Sequence, residues 1–192
     1  MSNYKILVNK EHKLGKDYVP TDLIYIKKEY EFSSEERLSF TVYKKYLEFK
    51  EYAKEHGINI YINSGYRSYS YQFVVWNYFI EKIGLENTKK RVAFPGTSEH
   101  QTGLAIDLGI EKDGTDIDMD EKTALWLENN SYMFGFILRY PNNKEDITGF
   151  QYEPWHFRYV GLELALYLRE SNLTLEEYYK EKNKEQAKEK IK

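Results

Sequence analysis

The sequence of 192 residues contains no cysteine. This absence excludes a thiol nucleophile, a cysteine-ligated zinc site and a disulfide framework. The amino terminus lacks the apolar run of a signal peptide, and no segment is apolar over a length that could span a bilayer. No charge sign dominates either, because 28 Lys and Arg stand against 31 Asp and Glu for a net charge of -3. That balance does not indicate nucleic-acid binding.

The composition is that of a globular protein with room for one sizeable core. Hydrophobic residues make up 41% of the chain and aromatic residues 17%, with 19 tyrosines among them. Tyrosine suits both a core and a polar groove, so this enrichment fits a surface that faces a sugar or a peptide without requiring one. We expect a single domain.

Three regions are predicted along the chain. Residues 1–32 lack helical periodicity and predict an extended arm packed on the domain, residues 33–180 predict the main domain, and residues 181–192 predict a charged helix end or tail. Predicted strands cluster between helical runs without strict alternation. This order favours an α+β fold in which helices flank a mainly antiparallel central sheet.

The local patterns predict individual elements. Ser33 and Glu36 form a capping-box pattern that would begin the first helix. The apolar face of that helix would contain Leu38, Val42, Tyr46, Phe49 and Ala53. Further helices are predicted over 69–83, 119–132 and 162–170 and from a Thr174/Glu177 cap, strands over 58–62, 104–108, 135–140 and 153–159, and an acidic loop over 111–118.

Two short segments contain the residues best suited to catalysis. The first, SEHQTGLAID, includes His100 and ends at Asp107, and the second, EPWH, begins at Glu153 and ends at His156. Two imidazoles and a carboxylate could bind a divalent zinc ion, which would leave Glu153 as a general base. Three protein ligands, an open position for water and a base are the minimum for zinc-assisted hydrolysis.

The spacing indicates strands rather than a helix around these residues. Apolar residues at 104, 106 and 108 alternate with Ala105 and Asp107, so a strand would bury one face and present Asp107 on the other. Pro154 makes an interior helical position unfavourable for the second segment. Adjacent strands, not a helical His-Glu-x-x-His motif, would therefore hold a metal.

The two segments resemble the VanY-type D-alanyl-D-alanine carboxypeptidases, zinc peptidases that trim bacterial peptidoglycan stem peptides. The resemblance includes the motif Ser-x-His-x6-Asp at 98–107, the EPWH segment, the SGYRS segment at 64–68 and Gln72. It extends from about Asp17 to about Tyr179. The motifs match in residue type, order and spacing.

The resemblance implies one Zn²⁺ per chain and a role for each motif residue. His100, Asp107 and His156 would bind zinc, and Glu153 would be the catalytic acid/base. Arg67 would stabilise the oxyanion, while Gln72 and Ser98 would line the substrate site. Separately from the resemblance, we expect Trp155 to form a packing wall of the substrate site beside the metal rather than to take part in the chemistry.

The expected activity is removal of the C-terminal D-alanine from peptidoglycan stem peptides or their precursors, with the D-Ala-D-Ala bond favoured. Alternatives among hydrolases are an L,D-carboxypeptidase acting on tetrapeptides, a D-Ala-D-Ala dipeptidase and a peptidoglycan endopeptidase. A non-catalytic zinc-stabilised cell-wall-binding module is an alternative of another class, although it would not need Glu153. We expect a monomer that acts at the cell envelope if a leader or anchor was removed, and in the cytoplasm otherwise.

Other charged residues have simpler interpretations. His12 and His56 lack neighbouring ligands and are predicted to be exposed. Arg67 could be a surface charge or part of a structural ion pair, Ser98 a turn residue and Gln72 a helix-surface residue. Arg139 and Tyr140 could close the pocket or simply end a strand. The acidic residues between 113 and 120 lack the pattern of a calcium loop and predict a solvated loop with a helix cap.

Overall fold

The structure, a computed structural model, describes residues 4–189. The strands are β1 (Leu23–Ile26), β2 (Glu36–Ser39), β3 (Asn59–Ser64), β4 (Ala105–Lys112), β5 (Thr115–Ile117), β6 (Phe136–Leu138) and β7 (His156–Tyr159). The α-helices are α1 (Phe40–Glu55), α2 (Tyr69–Ile83), α3 (Leu85–Arg91), α4 (Glu121–Asn130), α5 (Glu145–Thr148), α6 (Leu162–Ser171) and α7 (Leu175–Glu189). Two 3₁₀ helices cover Glu99–Thr102 and Ser131–Phe134.

The central sheet is antiparallel throughout and has the strand order β3-β4-β7-β6, with β5 paired to β4. A separate two-stranded antiparallel sheet joins β1 and β2. Helices lie between the strands in sequence and flank the central sheet. The predicted α+β class with an antiparallel sheet is therefore confirmed.

Helix α1 packs on one face of the central sheet. Val42, Tyr46, Phe49 and Ala53 are fully buried, as the period of the sequence predicted. The Phe49 ring lies 5.2 Å from that of Phe134 and 6.2 Å from those of Phe136 and Phe157, measured between centroids. Aromatic side chains at these separations dominate the energetics of a core.

The predicted start of the first helix is wrong. Residues 36–39 form β2 instead, and the helix begins at Phe40. The Ser33 hydroxyl accepts from the backbone N–H groups of Glu29 and Tyr30, which is a local turn. Pairing with β1 and complete burial of Leu38 outweigh the capping-box pattern at this position.

The predicted acidic loop over 111–118 is also wrong. Strand β4 continues to Lys112 and pairs with β5 through a two-residue turn at Asp113 and Gly114. Both turn residues have positive φ, 52° and 78°. A two-residue hairpin turn of type I′ requires this conformation, and the Asp-Gly pair is one that favours it. The helix cap predicted nearby is present, since the Asp120 side chain accepts from the Thr123 N–H.

Segments near both ends of the described part contact the central domain, on the amino-terminal side through Tyr4 and Val8 and on the carboxy-terminal side through Glu176, which pairs with Arg139. Val8 is fully buried, and Tyr4 packs on Tyr159 with ring centroids 5.1 Å apart. Thr174 and Glu177 form the predicted reciprocal cap at the start of α7. The division into arm, domain and tail stays a prediction, and residues 1–3 and 190–192 lie outside the described part. None of the helices within residues 4–189 combines the length and apolar character that a membrane crossing requires.

Candidate metal centre and cleft

Neighbouring elements bring the three predicted metal ligands together. Asp107 of β4 lies directly opposite His156 of β7 in the antiparallel register, and His100 lies in the 3₁₀ helix that precedes β4. Gly103 ends that 3₁₀ helix with φ of +67°, a left-handed conformation that glycine adopts without strain. One ligand atom of each residue lies within 4.8 Å of the others.

His100 is buried and held by one ring nitrogen. Its Nδ1 atom lies 2.6 Å from the Gly65 carbonyl oxygen, so Nδ1 carries the proton and donates. Its Nε2 atom lies 3.2 Å from Asp107 Oδ2 but has no hydrogen-bond partner among residues 4–189. Burial lowers the pKa of His100 to about 4, which favours the neutral imidazole that a metal requires.

His156 faces two carboxylates. Its Nδ1 atom lies 2.9 Å from Asp107 Oδ1, and its Nε2 atom lies 3.5 Å from Glu99 Oε2. Burial opposes the charged form, but these carboxylates raise the pKa of His156 to about 9. Asp107 has its pKa held well below the usual range despite its burial, because the two imidazoles face it. Metal binding at this site would therefore release a proton from His156.

The donor set fits a zinc ion. Two imidazoles and one carboxylate are the ligands of catalytic zinc sites, whereas magnesium and calcium prefer oxygen ligands alone. The unpartnered Nε2 atom of His100 is a buried polar group that a metal would satisfy. A fourth position would remain available for water.

Glu153 lies beside the three ligands without belonging to them. Its Oε2 atom is 4.0 Å from His156 Nδ1, and its side chain is 10% exposed. Burial is the main cause that raises the pKa of Glu153 to about 7, a net value in which the charge of Asp107 also raises it while His156 and Arg67 lower it. A carboxyl group whose pKa lies near neutrality can exchange a proton in either direction during catalysis.

Arg67 enters the site from the loop after β3. Its Nη2 atom lies 3.3 Å from Asp107 Oδ2, and its Nη1 donates to Gln72 Oε1 over 3.1 Å. Gln72 in turn donates to the Ala93 carbonyl oxygen over 2.9 Å, and its side chain is buried. Gln72 therefore orients the guanidinium, and the interpretation of Gln72 as a helix-surface residue is wrong.

These residues line one cleft of about 480 Å³. Ser98 is buried in its wall, while Trp155 is 43% exposed at its edge. The cleft therefore contains every residue that the sequence singled out as catalytic, metal-binding or substrate-binding. His12 and His56 lie elsewhere and are exposed, as predicted.

The sequence analysis assigned no role to some residues of the site and left the role of others undecided. Tyr140 is buried, and its ring centroid lies 4.9 Å from that of His156, so it belongs to the site. Arg139 points away into a buried ion pair with Glu99. Sequence reasoning assigned no role to Glu99. The one feature that could have indicated a role is its position, as a charged residue between Ser98 and His100. Arg91 also lines the cleft, with no recognisable motif around it.

Comparisons with known proteins agree with this geometry. The family model described as "VanY: D-alanyl-D-alanine carboxypeptidase" matches residues 35–162. The chain is 39% identical over 188 residues to the bifunctional D-Ala-D-Ala dipeptidase and D-Ala-D-Ala carboxypeptidase VanXYC of Enterococcus gallinarum, covering 90% of this chain and 92% of that protein.

Two solved structures have the same fold. The LdcB LD-carboxypeptidase superposes with a TM-score of 0.82 at 38% identity, covering 93% of this chain and 86% of the other. The vancomycin-resistance D,D-pentapeptidase VanY from a VanB-type cassette, crystallised with Zn(II), has a TM-score of 0.81 at 33% identity and covers 92% and 98%. The chain therefore belongs to the VanY family of D-alanyl-D-alanine carboxypeptidases.

Proposed function

We propose that the protein is a zinc-dependent carboxypeptidase that removes the C-terminal D-alanine from peptidoglycan stem peptides, with the D-Ala-D-Ala bond as its preferred target. The observation that carries this proposal is the buried Glu153 beside the cluster of His100, Asp107 and His156. A purely structural metal site would need no such group. Zinc, when bound, would polarise the scissile carbonyl and lower the pKa of the attacking water.

The side chains of the cleft perform the remaining steps. Glu153 accepts a proton from the water while the water oxygen forms a bond to the carbonyl carbon of the substrate. The carbonyl oxygen then carries negative charge, which the guanidinium of Arg67 stabilises. When the C–N bond breaks, Glu153 donates the proton to the leaving amine of D-alanine, so the carboxylate is regenerated.

A second candidate is an L,D-carboxypeptidase that releases D-alanine from tetrapeptide stems. The likeness to LdcB, at 38% identity over most of both chains, favours it. The two substrates differ on the acyl side of the scissile bond, where a long charged side chain replaces a methyl group. A pocket that only tolerates extra apolar atoms discriminates by about 1–3 kcal/mol, so we expect some activity on both.

A substrate panel tests these proposals. The zinc-loaded protein is incubated with a stem pentapeptide, a stem tetrapeptide, free D-Ala-D-Ala and an all-L pentapeptide, and the products are followed by mass spectrometry. We expect the highest kcat/KM for loss of one alanine from the pentapeptide and little cleavage of the all-L peptide. A higher kcat/KM on the tetrapeptide would show that the L,D bond, and not the D-Ala-D-Ala bond, is the preferred target. Zinc binding without any cleavage would indicate a non-catalytic module.

The proposed enzyme acts as a monomer on cell-wall peptides or their precursors. The predicted ligands, the base and the cleft all come from one chain, which supports activity without a second subunit. Sedimentation of the active protein at assay concentration should show a single species of 23.0 kDa. Because the substrate is part of the cell wall, the site of action is either the envelope or the cytoplasmic precursor pool.

A further inference from the structure

Glu99 is a buried carboxylate whose two oxygens have different surroundings. Its side chain has no exposed surface. The Oε1 atom accepts from Arg139 Nε over 2.8 Å and from Arg158 Nη1 over 2.7 Å. The Oε2 atom has no hydrogen-bond partner within residues 4–189 and lies 3.5 Å from the Nε2 atom of His156, which also lacks one.

The two arginines hold this carboxylate in place. Arg139 also donates to both oxygens of Glu176 on α7, over 2.9 and 2.5 Å. Arg158 also donates to the backbone carbonyls of Tyr4 and Ile6 in the amino-terminal arm. Two guanidiniums and two carboxylates balance in charge, so the cluster can stay ionised although it is buried. Glu99 therefore has little freedom to turn away from His156.

A fixed carboxylate at one ring nitrogen determines what the other nitrogen can do. An imidazole keeps its proton on the nitrogen that faces an acceptor, which leaves the lone pair of the second nitrogen free. In His156 both ring nitrogens face a carboxylate, since Nδ1 lies 2.9 Å from Asp107 Oδ1 and Nε2 lies 3.5 Å from Glu99 Oε2. With Asp107 as a metal ligand, Glu99 would be the remaining acceptor for the ring proton, and Nδ1 would be the free atom. His100 has the complementary arrangement, because the Gly65 carbonyl occupies its Nδ1 and leaves Nε2 free.

We propose that Glu99 is a positioning residue that keeps the proton of His156 on Nε2 and thereby presents Nδ1 to the metal. The two arginines that fix Glu99 also bind Glu176 of α7 and the backbone carbonyls of Tyr4 and Ile6, so the surroundings of this carboxylate lie outside the two sequence motifs. This inference rests on the proposed function in one respect only, that zinc binds at His100, Asp107 and His156.

The test compares Glu99→Gln with a matched control. In Glu99→Gln the amide oxygen can still accept from the arginines, so its NH₂ group would face His156 Nε2. Two donors then oppose each other, and the ring is driven to carry its proton on Nδ1. We expect a loss of zinc affinity of about 10–100-fold, since that is the usual effect of removing a partner of a metal-binding histidine.

Glu176→Gln is the control, because it removes the same charge from the same cluster without contacting His156. Zinc affinity is measured for both variants by competition with a chelator, and the absorption spectrum of the Co²⁺-substituted proteins reports on the ligand geometry. We expect the spectrum to change in Glu99→Gln alone. Equal losses of zinc affinity in the two variants would overturn the proposal, since they would show a general effect of the cluster.

A measurement on the unmodified protein covers the case in which Glu99→Gln does not fold. Nitrogen-15 spectra of the histidine rings in the zinc-loaded protein should show the proton of His156 on Nε2 and the metal on Nδ1. A proton on Nδ1 would overturn the proposal. None of these measurements uses a peptide, so a protein that cleaves no substrate would contradict the proposed function while the role of Glu99 is decided separately.

Discussion

The two faces of strand β7 serve different purposes with residues that alternate along the chain. Phe157 and Tyr159 face the aromatic core under α1, whereas His156 and Arg158 face the metal cluster and the buried ion pairs. All four side chains are buried. On the core face the energy depends on filled volume, whereas on the site face it depends on whether each polar atom has a partner. Substitutions on the core face should therefore lower stability, whereas substitutions on the site face should lower zinc binding or activity.

The largest effect is expected from His156→Ala on the site face. Removing one of three protein ligands should reduce zinc from about one ion per chain to almost none, with activity lost in parallel. Elemental analysis and the pentapeptide assay measure both. The matched control is His56→Ala, because His56 is exposed and distant from the cluster. An active protein free of transition metal would contradict the prediction.

Glu153→Gln should separate catalysis from metal binding on that same face. The carboxylate is the base but not a ligand, so we expect kcat to fall by about 10²–10⁴-fold with zinc content unchanged. Glu128→Gln, at a half-buried glutamate of α4, is the control and should retain activity. Retained turnover in zinc-loaded Glu153→Gln would remove Glu153 from the mechanism.

Phe49→Ala should destabilise the protein through the core face of the sheet and leave the metal site unchanged. Phe49 is fully buried and packs on Phe157 from the opposite side of the sheet to the cleft. Truncation should lower the free energy of unfolding by about 3–5 kcal/mol, through lost burial and the cavity that remains. Urea denaturation measures the loss. At a temperature where the variant stays folded, zinc affinity and kcat should match the wild type, and a specific fall in kcat would show that the faces are coupled.

Arg67→Ala should lower kcat by about 10²–10³-fold if the guanidinium meets charge that develops only in the transition state. Arg67→Lys should recover part of this loss, because an ammonium cannot reproduce the guanidinium fork that contacts Gln72 and Asp107. Steady-state kinetics separates kcat from KM. An increase in KM alone would instead show that Arg67 binds the ground state, for example through the terminal carboxylate of the substrate.

The smallest effect concerns the pH dependence of stability in the metal-free protein. Because burial raises the pKa of Glu153 to about 7, the folded state retains a proton that the unfolded state loses above its ordinary pKa of 4.5. The contribution to stability is complete below pH 4.5 and is lost as the pH rises to 7, by at most about 3 kcal/mol. Urea denaturation of wild type and Glu153→Gln in chelator, at pH 5 and pH 8, should show a larger loss in the wild type, because the contribution of His156 is common to both proteins. An equal difference between the two proteins at both values would contradict the prediction.

Local patterns in the sequence predicted much of the fold and most of the cleft. The apolar period of α1, the alternation around Asp107 and the cap of α4 all depend on residues within a few positions of one another, so they can be recognised directly. The predictions for the start of the first helix and for the acidic segment at 111–118 were wrong, because both segments pair as strands. At the helix start the competing contacts came from β1, an earlier strand, whereas the acidic segment is a local hairpin whose Asp-Gly turn signal was not recognised.

The sequence by itself determined the family, the order of the candidate ligands and the alternation that separates core from site, since these follow from residue types at short spacings. Only the tertiary structure decided the surroundings of Glu99, whose partners Arg139 and Arg158 lie 40 and 59 residues away. Only the tertiary structure, likewise, placed the Gly65 carbonyl at His100 and buried the side chain of Glu153. The physical reason is that a pKa and a tautomer depend on the charges and the solvent within a few ångströms, and those neighbours come together only when distant segments pack.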